Sequence, residues 1–293
     1  MRVDRSIVWI SPTERSRLVP SVITEGSPRW DRKGRTGSSF LTSDGSRPAA
    51  TFTEGVVRMN IDQVLQDQSG YYEARAPEYD DVWYRRGRYD LGPVGNARWF
   101  AETARLESAI DSLDVNGDVL ELACGTGLFT RRLAPRAREL FAIDGSAAVL
   151  EINADRVADA SVNYQRADIF QWEPPTGRHF DHIFFGFFLS HVPPHLFEDL
   201  WERLSRWLAP GGRVSFCDDA PGVEDRPSNP GAGIADAPAW AHSRRLHDGR
   251  EFTIVKMCHA PEQLTRWLSA HGWNASVEST GEEFIFGSAV PRS

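Results

Sequence analysis

At 293 residues, with apolar, aromatic and charged shares of 41%, 11% and 25%, the chain can bury a sizeable core as one large α/β domain or two small ones. Its formal net charge of −8 gives no overall basic footprint for nucleic acid, so a small-molecule partner is the expectation. No run reaches the roughly 18 apolar residues of a membrane-spanning helix, and the Ile7–Ile10 cluster is too short for a signal-peptide core. Cys124, Cys217 and Cys258 form neither a CxxC pair nor a metal-ligand spacing, which fits reduced thiols, a cytoplasmic location and no metal site.

Residues 1–58 are rich in Ser, Arg, Thr, Gly and Pro and hold no sustained period, so they read as a disordered N-terminal extension, with Met59 a candidate start of the functional chain. Asp4, Glu14, Glu25, Asp31 and Asp44 supply more acid than a transit peptide usually carries, which makes that the weaker alternative. A helical cap is expected over 59–115, where Trp99, Thr103, Leu106, Ile110 and Leu113 recur at steps of three and four. A sheet core follows over 116–293. Strands are expected at 118–122, 140–144, 162–166, 183–189 and 213–217, alternating with helices at 128–135, 146–159 and 194–208. That alternation, with apolar strands, implies a mostly parallel sheet covered on both faces. The stretch 220–250 is expected to be a long loop acting as a substrate lid; after it come a strand at 251–257, a helix at 261–272 and a hairpin turning at Gly281.

"LELACGTGLF" places Ala123, Gly125 and Gly127 in alternate positions behind a strand, as a nucleotide-binding turn does. A dinucleotide fingerprint continues to a third small residue, whereas position 130 is Thr130, so close backbone approach is retained without a demand for pyrophosphate. Asp144 ends the second strand and can accept both hydroxyls of a ribose, which alone does not choose between cofactors. Asp168, after the third strand, can accept from an adenine amino group, with Ile169 packing on the ring; each aspartate could instead simply cap a helix. Glu121, inside the first strand, would repel a pyrophosphate and suits a ligand bearing positive charge. S-adenosylmethionine has a sulfonium, an ammonium and no phosphate.

With "VLELACGTG", "LFAID", "RADIF", "FDHIFFGFFLSHVP" and "LAPGGRVSF" in that order, the chain resembles the class I S-adenosylmethionine-dependent methyltransferases that act on small molecules, over residues 60 to 290. The resemblance implies a Rossmann-like α/β fold with a seven-stranded sheet in the order 3-2-1-4-5-7-6, strand 7 antiparallel, and S-adenosylmethionine as cofactor. It implies that Gly125, Thr126 and Gly127 lie against the methionine and ribose moieties, Asp144 on the ribose and Asp168 on the adenine. Tyr72 and Tyr79 would close the site from an N-terminal helix. Ala123 departs from a common glycine but is small enough to keep the turn.

Methyl transfer needs alignment, exclusion of water and, for some acceptors, removal of a proton. His191, just beyond the fourth strand, is the candidate base, with packing at the next helix start as its alternative role. Arg85, Arg86 and Arg88 could hold a carboxylate, and Phe187 and Phe188 could line an apolar acceptor pocket. The expected function is methylation of a small molecule on oxygen, nitrogen or carbon, with no nucleic acid or membrane partner. The rivals are a nicotinamide-dependent oxidoreductase, disfavoured by Thr130 and Glu121, and a non-catalytic S-adenosylmethionine-binding protein.

Overall fold

The computed structural model describes residues 60–223 and 237–292. The extension expected over 1–58, the proposed start at Met59 and residues 224–236 of the expected lid lie outside the described residues. Two helices form the cap: α1 (Ile61–Arg75), started by the Asn60 side chain accepting from Asp62 N, and α2 (Gly92–Asp111), which buries Trp99, Thr103, Leu106 and Ile110 as their spacing requires. A 3-10 segment, Ala76–Asp81, leads out of α1.

The core alternates β1 (Asp118–Leu122), α3 (Thr130–Leu133), β2 (Glu139–Asp144), α4 (Ala147–Val157), β3 (Val162–Arg166), β4 (Phe180–Gly186), α5 (Phe197–Trp207) and β5 (Leu208–Asp219). A small hairpin, β6 (Ala241–Arg245) with β7 (Glu251–Val255), precedes α6 (Pro261–Ala270) and the strands β8 (Trp273–Ser279) and β9 (Phe284–Pro291). The main sheet runs β3-β2-β1-β4-β5-β9-β8, with β9 antiparallel to both neighbours. With the separate hairpin set aside, this is the expected seven-stranded order. Among the described residues no helix is long and apolar enough to cross a membrane.

Alternation along β1 divides the core into two layers. Leu120 and Leu122 face a cluster with Trp201, Leu204, Leu264 and Leu268, while Val119 faces Leu106, Leu133 and Leu150 on the other side. Glu121 shares the parity of Val119 and is therefore carried into the second layer, directly behind the glycine turn.

Four expectations need correction. The fourth strand lies three residues earlier than the apolar run suggested: Phe187 turns left-handed at φ +56°, and Leu189–His191 form a 3-10 turn. Phe188 and Leu189 are apolar because they enter the core beyond the strand, not because they belong to it. The 128–135 helix starts only at Thr130, after the turn has closed. The strand expected at 213–217 is longer: β5 begins at Leu208, with Pro210–Gly212 bulging from it, and pairs Leu208 with Phe180 and Arg213 with His182. Residues 241–245, expected inside an irregular lid, are the strand β6, whose hairpin packs Leu246, Phe252 and Ile254 against Tyr71 of α1.

Ala123 takes φ +50°, a left-handed conformation that costs a residue with a Cβ roughly 1–2 kcal/mol. Ala123→Gly removes that cost, partly offset by the greater freedom of glycine in the unfolded chain. The expected result is a melting temperature raised by about 1–3 °C, read by thermal denaturation.

Candidate cofactor site and adjoining cavity

Three left-handed positions in five residues, Ala123, Gly125 and Gly127, curl the chain out of β1. A Cβ on Gly127 would lie 2.5 Å from Asn153 Oδ1, so only glycine lets the turn pack on α4. The buried Asn153 amide in turn donates toward Cys124 O (3.3 Å), Gly125 O (3.0 Å) and Thr130 Oγ1 (2.8 Å). Its own Oδ1 accepts from the Tyr164 hydroxyl at 2.9 Å.

Asp144, at the carboxyl end of β2, accepts from Gly125 N at 3.0 Å through one oxygen and from Ser146 N at 2.9 Å through the other. Each oxygen keeps a further lone pair for a hydroxyl. Burial raises the carboxyl's pKa, while those backbone donors pull it back. Glu121 is 1% exposed; its Oε2 has no hydrogen-bond partner, and burial pushes its pKa up to about 8, against the pull of a Thr130 hydrogen bond. Asp168 stands exposed at the same sheet edge, where its oxygens accept from Phe170 N (3.0 Å) and Gln171 Nε2 (2.7 Å), so it also caps its own turn. Ile169 sits in the core beneath.

A turn that needs close approach, a hydroxyl-accepting aspartate and an orphaned buried carboxyl oxygen fit an adenosine ligand carrying positive charge. They do not fit a pyrophosphate. S-adenosylmethionine has the matching groups, and Gly125, Gly127, Asp144 and Glu121 are the residues that would hold it.

The cap closes over this turn. Thr126 Oγ1 donates to Asp80 at 2.5 Å, and Arg156 of α4 pairs with the other Asp80 oxygen. The Tyr79 ring lies against Gly125, in ordinary van der Waals range of a Cβ built there. Behind Tyr79, a cavity of about 100 Å³ is lined by Tyr72, Arg75, Arg244, Lys256, His191 and Phe187, among others.

His191 is fixed in one tautomer. Its Nδ1 lies 2.7 Å from Val255 O, which can only accept, so Nδ1 carries the proton and Nε2 accepts from the Tyr72 hydroxyl at 2.9 Å. Burial, with Lys256 nearby, holds its pKa well below the usual imidazole range. Gln68 of α1 joins the elements around it, donating to His191 O and accepting from Val255 N. Lys256 is buried with Nζ 2.8 Å from Ser190 Oγ and 2.7 Å from Asp219. Burial pulls its pKa down, but Asp219 more than offsets that and the ammonium stays charged.

Tyr72, Tyr79, His191 and Phe187 are thus brought to one cavity, with the glycine turn, Asp144 and Asp168 along the sheet edge beside it. Phe188 packs instead against Phe170 and Phe185. Arg85 lines the cavity and stacks on Trp99, whereas Arg86 and Arg88 pair with Asp81 and Glu78. Arg75, Arg244, Lys256 and Asp219 were not among the expected site residues. A single lysine in the apolar "TIVKM" and the Asp218-Asp219 pair ending a strand were the available signals.

A methyltransferase-domain family model matches residues 119–212. Among solved structures, the DhpI–SAM–HEP complex is 34% identical, covers 80% of this chain and 100% of that chain, with a TM-score of 0.63. The DhpI–SAH complex is 34% identical, covering 79% and 98%, with a TM-score of 0.61. An uncharacterized methyltransferase of Geobacillus kaustophilus is 25% identical over 54% of this chain and 69% of its own length. Trans-aconitate 2-methyltransferase of Sinorhizobium fredii is 31% identical over 39% of this chain and 42% of its own length.

The Glu121 carboxyl has a measurable consequence without any ligand. Its folded pKa, about 8, lies above the unfolded carboxyl value, so its stability contribution is full at acid pH and is lost as pH rises through about 8. The melting-temperature difference between wild type and Glu121→Gln is therefore expected to shift against the wild type from about pH 5 to about pH 9. A difference constant across that window would mean a carboxyl ionised throughout.

Proposed function

The chain belongs to the class I S-adenosylmethionine-dependent methyltransferases, and we propose that its acceptor is a small molecule taken up in the cavity behind Tyr79. The observation that carries this is the cavity's placement: it adjoins the donor-binding turn through Tyr79 and Leu128, and cap residues Tyr72, Arg75 and Trp83 line it. The similarity to an enzyme named for trans-aconitate supports an acceptor of this size.

Bound at the glycine turn, S-adenosylmethionine supplies a methyl group already activated by its sulfonium. The protein's part is to hold, orient, dry the site and accept a proton. Asp144 holds the ribose hydroxyls, and Glu121 places carboxyl density behind the turn. Tyr79 and the Asp80 contacts shut the cap over it, which excludes water.

His191 acts through Tyr72. A proton leaving the acceptor passes to Tyr72 Oη as the tyrosine's own proton passes to His191 Nε2, along the 2.9 Å hydrogen bond. An imidazole held this far below its usual pKa is a weak base, which suits a proton lost late, when the nucleophile has begun to carry positive charge. It also stays neutral, and able to accept, well into the acid range.

Asp144→Ala is expected to weaken S-adenosylhomocysteine binding by roughly 1.5–3 kcal/mol, measured by calorimetry; unchanged affinity removes Asp144 from the site. Incubation with labelled S-adenosylmethionine and a metabolite extract, followed by mass spectrometry, is expected to yield a labelled small molecule. Label found only on macromolecules, or nowhere, overturns the proposal.

On the acceptor so identified, His191→Ala and Tyr72→Phe are each expected to lower kcat by about 10²-fold or more, with KM for the donor little changed. The double variant should lose no more than either alone, as for groups acting in one relay. A loss under about threefold in both single variants would leave His191 a packing residue.

A further inference from the structure

One cation of the cavity stands without a counter-charge. Among the described residues Arg75, Arg85, Arg244 and Lys256 line the cavity with two carboxylates, Asp219 and Glu283, and Arg85 and Arg244 have interactions of their own. Both carboxylates are already engaged: Asp219 lies 2.7 Å from Lys256 Nζ, and Glu283 lies 3.4 Å from Arg98 Nε. Arg75 has no carboxylate partner among the described residues. Its guanidinium faces the rings of Tyr71 and Tyr79 at 5.4 and 5.0 Å, and its buried Nε has no hydrogen-bond partner.

A buried guanidinium without a counter-charge, standing beside the site for a sulfonium, opposes the binding of the donor unless an anion enters with it. Electrostatics of this kind are costly to build and are relieved by one class of ligand. We infer that Arg75 is the receptor for an anionic group, a carboxylate or a phosphoryl group, carried by the methyl acceptor. The inference rests on the small-molecule cavity proposed above.

Geometry favours the same assignment. Arg75 and Tyr72 are three residues apart on α1 and so lie on one face of the helix. An anion held by the guanidinium fork leaves the rest of the molecule beside the Tyr72 hydroxyl and, through it, His191. Arg75 acts here as a binding and orienting residue and takes no part in proton transfer.

The shared chemistry, an oxyanion on a guanidinium, has a second source in the carboxylate of the donor itself. The two are separated by titrating the full-length protein, first with S-adenosylhomocysteine alone and then, once saturated, with inorganic phosphate and with acetate as probes. The expected result is saturable binding of at least one probe to the loaded wild type, weakened about tenfold or more in Arg75→Gln. S-adenosylhomocysteine affinity should stay within about twofold. Arg75→Lys, which keeps the charge without the fork, should recover part of the probe affinity and shows that loss in Arg75→Gln is not loss of fold.

Three results of the titrations overturn the inference: equal probe affinity in wild type and Arg75→Gln, no probe binding to the loaded wild type, or a tenfold loss of S-adenosylhomocysteine affinity in Arg75→Gln. The last would assign Arg75 to the donor's carboxylate. The small-molecule proposal fails differently, through labelled macromolecules in the extract experiment. If the labelled small molecule bears no anionic group, the proposal stands and the inference falls.

Discussion

The site depends on Asp80. One carboxylate ties the end of the cap to the glycine turn through Thr126 and to α4 through Arg156, and no other ion pair joins the 76–81 segment to either element among the described residues. The pair is only partly exposed, so removing one partner leaves a charge with poor solvation and no counter-ion, which costs more than the pair gains. Tyr79 keeps its place on Gly125 because its neighbour is held in this way. Without that tether the cavity would lose its wall on the donor side.

Glu121 shows how burial reshapes a motif. Its negative charge suggested a partner for a cationic ligand, yet with no cation beside it the carboxyl titrates near 8 and is largely protonated at neutral pH. A cationic ligand would draw it into the ionised form, whereas ionisation without a neighbouring cation carries the full desolvation cost. Lys256 solves the opposite problem by a permanent neighbour: Asp219 keeps it charged although it is almost fully buried.

What could be seen from sequence followed from local physics. The strands were recognisable because two-sided burial makes them apolar, and the glycine turn with Asp144 because a βαβ unit fixes their separation. Boundaries slipped where burial and secondary structure part company: Phe188 and Leu189 are core residues outside the strand they appeared to extend. Strand β7 was legible at 251–257, but its partner β6 was hidden because the hairpin rests on α1 and not on the sheet, so β6 is short and mostly polar. Arg75 comes from the cap, and Arg244 and Lys256 from the β6–β7 hairpin and its end, so they meet only when cap and hairpin fold together and no spacing announced them.

Asn153 braces the floor of the candidate site. By holding Cys124, Gly125 and Thr130 from behind, one buried amide sets the turn in its final shape before any ligand arrives. A turn held in this way would leave donor binding little to order there, so any ordering cost would fall on the cap. A braced floor under a tethered roof would leave the rates of entry and release to the roof, and affinity for a nucleoside to the floor.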